Sequence, residues 1–255
     1  ADALTVAASS GLNAKNAMEA VEIAAKAQAA GMGDAKDITR ALAAVINSYG
    51  SDNISAARAG DILTAAVKAG AAEADEFAGV LNKVVPVAAS MGVSFEEVAA
   101  SIATYTRLGT PAAEAATGLR AAMLSIAAPS EQAKNIMAEL SAQTGDSSMS
   151  FEALRASIKD RGLTETLIDL AGKFKGNEEQ LFKLLGSTEA FNAVLGTAGV
   201  QAGNYRDVLA QIKDSTGVLD AAFAGIKGTS AQTWGEFQAQ LSSVSIAVGE
   251  KLAPA

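Results

Sequence analysis

Glycine recurs along this chain at near-regular intervals: Gly11, Gly31 and Gly33, Gly50, Gly70, Gly92 and Gly109 fall about twenty residues apart. Between them lie segments rich in Ala, Glu, Lys and Leu, which are strong helix formers. A glycine after such a run suits the left-handed residue that ends a helix, so each interval encloses one helix and no more. As one continuous helix the 255 residues would reach about 380 Å at 1.5 Å each. The punctuation forbids that, and each apolar stripe must fold back on a neighbour.

Caps and periodicity agree. Asn13, Asp34, Asn53, Ser94 and Thr110 stand where helices should begin, as residues whose side chains accept from first-turn N–H groups. Pro111 follows Thr110 at a first-turn position, where a missing N–H costs nothing. Met18, Val21 and Ala25 follow a helical spacing, as do Ile38, Leu42, Val45 and Ile46, and Phe77, Val80, Leu81, Val84 and Val85. No sustained alternation of period two marks a strand. The fold class expected is all-α: a compact multi-helix array of short Gly/Pro-punctuated helices, six or seven of them before about residue 128.

Residues 143–150 (QTGDSSMS) form the clearest loop. It divides an expected N-terminal helical subdomain, 1–142, from a C-terminal one, 151–255. Helices should resume at Phe151–Lys159, Leu163–Phe174 and Glu178–Leu185, after which Gly186, Gly196, Gly199 and Gly203 break the chain into short pieces. Residues 11–50 and 92–129 echo one another weakly, as two copies of one helical element would. An amphipathic helix is expected over 230–252, where Trp234, Phe237, Leu241, Val244 and Val248 step by 3, 4, 3 and 4. That is an a/d seam of about two heptads. It suits either packing in its own domain or an oligomer interface.

The residues that are missing exclude much chemistry. With no His and no Cys there is no Ser-His-Asp triad, no thiol nucleophile and no Cys/His zinc site. Gly172-Lys173 runs into Phe174 rather than Ser or Thr, and Gly31-Met32-Gly33 lacks its third glycine, so neither a P-loop nor a dinucleotide fingerprint is present. The carboxylate pairs Asp75/Glu76, Glu96/Glu97 and Glu178/Glu179 point about 100° apart on a helix and cannot converge on one atom. Glu96/Glu97 after Ser94 reads as capping. Lys173, Lys175 and Lys183 sit in a stretch, 151–185, with 6 basic and 6 acidic residues, a mixed solvated face. The expectation is no enzyme, with no catalytic, cofactor-binding or metal residues and no cofactor. A net charge of −8 disfavours a phosphate backbone, so no sequence-specific nucleic-acid binding is expected. No transmembrane segment is expected either, since no apolar run approaches 18 residues. The chain starts with Ala1 rather than Met and reads as a piece of a longer one.

Five blocks, in order, resemble the core region of phage tail tape measure proteins: Ser10 to Gly31, Val84 to Gly109, Thr110 to Pro129, Leu184 to Gly196 and Trp234 to Pro254. The 143–150 loop and residues 200–230 match only loosely. The resemblance implies a virion component of the phage tail, assembled in the bacterial host cytoplasm, that helps set tail length and organise the lumen and tip for genome delivery. It also implies homo-oligomers, with a trimer as one option, and contacts with tail tube proteins, tail tip proteins and tail assembly chaperones. Two other readings stay open on the residues alone. One is a helical scaffold or adaptor; the other is a membrane-active helical protein delivered at infection, against which the net charge weighs.

Overall fold

A computed structural model describes residues 2–199 and 201–225 of the chain. Helices α1 (Asp2–Ser9), α2 (Ala14–Ala29), α3 (Ala35–Tyr49), α4 (Ala56–Ala69), α5 (Ala74–Met91), α6 (Phe95–Arg107) and α7 (Ala112–Ala127) fill the first half. They are followed by α8 (Glu131–Thr144), α9 (Phe151–Arg161), α10 (Leu163–Lys173), α11 (Glu178–Leu185), α12 (Thr188–Thr197) and α13 (Gln201–Lys213). Residues 218–225 are helical as well, and the described residues contain no strand.

The caps show how sequence makes these boundaries. Asn13, Asp34, Ser94 and Ser130 accept from backbone N–H groups at the starts of α2, α3, α6 and α8. Ser94 and Glu97 form a reciprocal capping box, which satisfies two donors that would otherwise be left over. Two expected caps are corrected. Asn53 donates to the Tyr49 carbonyl instead, and Ser55 Oγ accepts from Arg58 N at 3.1 Å as α4 begins. At α7 the capping position is Pro111 rather than Thr110, and it makes no side-chain bond.

Glycines also divide into two kinds. Gly11, Gly31, Gly33, Gly50, Gly92 and Gly109 have positive φ, as helix terminators do. Gly70 does not, because it serves close approach: a Cβ there would lie 2.8 Å from Thr106 Oγ1 and 3.2 Å from Ala103 Cα. Gly196 and Gly203 lie inside α12 and α13 rather than between helices. At Gly196 a Cβ would meet the Tyr105 ring at 3.1 Å.

The chain forms two compact units. Of the described residues, unit 1 holds 2–65, 73–82 and 215–225, and unit 2 holds 66–72 and those within 83–214. Inside unit 1 the core is aliphatic, with Ala20, Ala24, Ile38, Leu42, Val45, Ile62 and Leu63 buried. Inside unit 2 it gathers Phe95, Ile102, Leu119, Met123, Leu163, Leu167, Phe174 and Tyr205. Pro86 lies within α5, where a proline interrupts helix bonding at a cost of about 3 kcal/mol. Full burial of Val84, Val85 and Ala88 around it offsets that at roughly 1.5–3 kcal/mol for a side chain of valine size. The loop 145–150 joins α8 to α9 within unit 2. It is pinned by Lys173 Nζ, which contacts the Asp146 carboxylate and Ser148 Oγ.

Candidate functional site

The carboxylate pairs diverge, and Asp75, Glu97, Glu178 and Glu179 each have a backbone or ion-pair task of their own. Glu178 accepts from Gly176 N at 2.9 Å, a bond that holds its carboxyl below the usual range. Glu179 pairs with Lys183 at 2.6 Å one turn on. Asp75 reaches across to α3, where it accepts from Asp34 N at 2.8 Å. Glu97 does more than close its own helix: its Oε1 accepts from Leu163 N at 2.8 Å, at the start of α10. One carboxylate thus serves the N-termini of α6 and α10, where exposed N–H groups and the helix dipole both favour negative charge.

Gly162 makes the second half of that arrangement. Its φ of 93° and ψ of 164° lie in a region that is essentially reserved for glycine. A Cβ there would collide with the Glu97 carboxylate. Gly33 stands in the same relation to Asp75. A third carboxylate of this kind, Asp61, escaped sequence reasoning. It is 8% exposed and accepts from Gly217 N at 2.8 Å and Leu219 N at 3.0 Å. Its only sequence signal is an acidic residue on an otherwise apolar helix face beside Gly60.

Unit 2 also carries a cleft of about 520 Å³ where α7 meets α12. Gly118 lets the two helices approach: a Cβ there would lie 2.9 Å from the Glu189 carbonyl oxygen and 3.2 Å from Ala193 Cβ. Thr117, Thr188, Glu189 and Asn192 line the opening, and Tyr105 lies beneath. The Tyr105 hydroxyl donates to the Ala193 carbonyl at 2.7 Å. Burial pushes its phenol well above the ordinary value, so it stays protonated and acts as a tie between α6 and α12. Among the described residues no group of three or more acidic side chains could hold a metal ion. Nor is any described helix long and apolar enough to cross a membrane. On the same unit Phe182 and Leu195 are exposed, and Phe182 meets Phe191 edge-on at 5.6 Å. The seam expected at Trp234, Phe237, Leu241, Val244 and Val248 lies outside the described residues.

These residues build helix latches and packing seams. Comparison with known proteins agrees with that character. The family model for phage-related minor tail proteins matches residues 1–196. The chain belongs to the phage-related minor tail protein family. The tape measure protein of Pneumococcus phage Dp-1 is 31% identical to this tail protein over 151 residues, 59% of this chain and 13% of that one. A probable tape measure protein of Clostridium phage phiCD119 is 28% identical over 238 residues, 93% of this chain and 25% of that one. The probable tape measure protein of Escherichia phage P2 is 26% identical over 187 residues, 73% of this chain and 21% of that one. The chain thus spans a quarter or less of the length of these relatives. No solved structure matches it.

Proposed function

We propose that this chain is a structural and assembly module of a phage tail tape measure protein. In that role it helps set tail length and organise the tail lumen and tip for genome delivery. The alignment of 93% of the chain with a probable tape measure protein supports this most directly. The resident chemistry is consistent with it: Asp61, Asp75 and Glu97 are engaged on backbone N–H groups, and the Tyr105 hydroxyl is engaged on a carbonyl. The module acts as several copies, a trimer among the options, with tail tube, tail tip and tail assembly chaperone proteins as partners. It is put together in the host cytoplasm and carried in the virion. The face formed by Trp234, Phe237, Leu241, Val244 and Val248 supplies a packing or oligomer seam. A duplicated helical element, 11–50 and 92–129, accounts for the weak echo between those stretches.

An in-frame deletion of this segment from the phage that encodes it tests the role, with tails measured by electron microscopy. Loss of tails, or tails shortened by up to about 380 Å at 1.5 Å per residue, is expected. Full-length, infectious tails would remove the reading.

A further inference from the structure

We propose that residues 215–225 form a detachable strap on unit 1, latched by Asp61, which opens while α1–α3 stay folded. The chain passes from unit 2 to unit 1 between Asp214 and Ser215. Three side chains of unit 1 tie the strap by polar bonds. Asp61 Oδ2 and Oδ1 accept from Gly217 N and Leu219 N at 2.8 and 3.0 Å. Arg58 Nη1 donates to Ser215 Oγ at 3.1 Å, and Lys26 Nζ meets Asp220 Oδ1 at 3.2 Å. Burial lowers the Lys26 pKa, but Asp220 and Glu22 outweigh it and hold the ammonium above its ordinary value. Leu219, 2% exposed, is the one buried apolar side chain in the strap, and Ser215 is the one buried polar side chain. The other nine residues of the eleven are half-buried or exposed.

Three features make this a latch rather than part of the core. First, full apolar burial is confined to Leu219, with Val218, Ala222 and Phe223 only half-buried, so the strap adds a small share of the hydrophobic total that keeps α1–α3 together. Segments with few buried apolar contacts open below the global unfolding threshold. Second, the two backbone bonds, from Gly217 N and Leu219 N, converge on one carboxylate. That carboxylate sits at the start of the 218–225 helical run, so losing it unpairs the first N–H groups together. Third, the seat is shaped for removal and return. Gly60 leaves space for Leu219, and a Cβ there would lie 3.2 Å from Leu219 Cδ2 and closer still to Ile23. Opening uncovers this Gly60–Ile23 face of α4 and α2 beside the Asp61 carboxylate. All of these contacts lie within unit 1, and they carry no dependence on the tail role.

Amide hydrogen exchange on the 255-residue chain tests the strap, comparing the unaltered protein with Asp61→Asn and with Leu219→Ala. The second variant removes the apolar plug but leaves the carboxylate in place. Both should speed exchange of the amides from 217 to 225 as one block by about tenfold or more, to rates well above those of α1–α3, whose amides quicken only by the factor that the fall in global stability allows. Faster exchange at Gly217 and Leu219 alone in Asp61→Asn would make Asp61 a local cap and overturn the strap. Exchange of α2 and α3 at the strap's own rate in either variant would make it an integral part of the core and overturn it equally.

Discussion

Unit 1 and unit 2 hold their helices by different means. Among the described residues unit 1 gathers one long stretch, 2–65, and two short ones, 73–82 and 215–225. The first buries Phe77, Ala78, Val80 and Leu81, and its tie, Asp75, is exposed. The second, through residue 225, buries Leu219 alone among its apolar side chains, and its tie, Asp61, is itself buried. Unit 2 is one long run, 83–214, joined by the short stretch 66–72. It closes on whole helices whose small residues touch, Gly118 against Glu189 and Ala193, with Glu97 as its long-range carboxylate. The lesson is one of compensation: the less apolar surface a returning segment buries, the more its position rests on directional bonds to a shielded charge.

The comparison breaks most readily at Gly162. Gly162→Ala forces an unfavourable backbone conformation and displaces the Glu97 carboxylate. Strain of about 1–3 kcal/mol and a charged hydrogen bond of about 1.5–3 kcal/mol are at stake, with incomplete additivity. A loss near 3 kcal/mol in denaturant unfolding is expected; a loss under about 1 would mean that unit 2 does not need its latch.

A smaller effect separates two glycines inside helices. Gly→Ala in a helix interior gains up to about 1 kcal/mol. At Gly203 nothing stands within 4 Å of an added Cβ, so Gly203→Ala should raise the melting temperature. At Gly118 the obstacle is a backbone carbonyl that cannot swing aside, and overpacking of about 1–3 kcal/mol outweighs the gain. Gly118→Ala should therefore destabilise, by about 1 kcal/mol. Matching signs at the two positions would remove the small-residue seam from the account of unit 2.

The smallest effect depends on pH. Asp146 is held at about 2, mainly by its hydrogen bond with Lys173, against an ordinary value of 3.8. A carboxyl depressed by folding adds stability that is complete above its unfolded value and is lost as pH falls through the folded one. Asp146→Asn should therefore lower the melting temperature slightly near neutral pH, with the difference fading as pH drops from about 3.8 toward 2. A difference that persists or grows at the acid end would contradict the pinning of the 145–150 loop.

Helix existence and most helix ends were legible, because Ala-rich runs, Asn, Asp and Ser caps and left-handed glycines are local signals. Phe151–Lys159, Leu163–Phe174 and Glu178–Leu185 fall within a residue or two of α9, α10 and α11. What local signals do not carry is a glycine's second use. Gly11 and Gly70 look alike in sequence, yet one turns the chain and the other admits Thr106. Carboxylates behave similarly. Glu97 announced its capping box by its spacing from Ser94, but its bond to Leu163, 66 residues away, depends on how α6 and α10 meet. Asp61 gave less warning still, since its partners are main-chain groups beyond residue 214, and any residue type supplies those.

The account turns on three carboxylates acting as latches graded by burial. The direct measurement is the denaturant midpoint of Asp61→Asn, Glu97→Gln and Asp75→Asn beside Glu131→Gln and Glu152→Gln. The last two remove only exposed ion pairs, with side chains 83% and 80% accessible; such pairs contribute little. Asp61→Asn should cost most, about 2 kcal/mol for a buried charged acceptor of two N–H bonds, with Glu97→Gln next and Asp75→Asn least. The Glu131 and Glu152 variants should match the unaltered protein within error. Equal losses across all five, or an order that puts the exposed Asp75 first, would contradict the account.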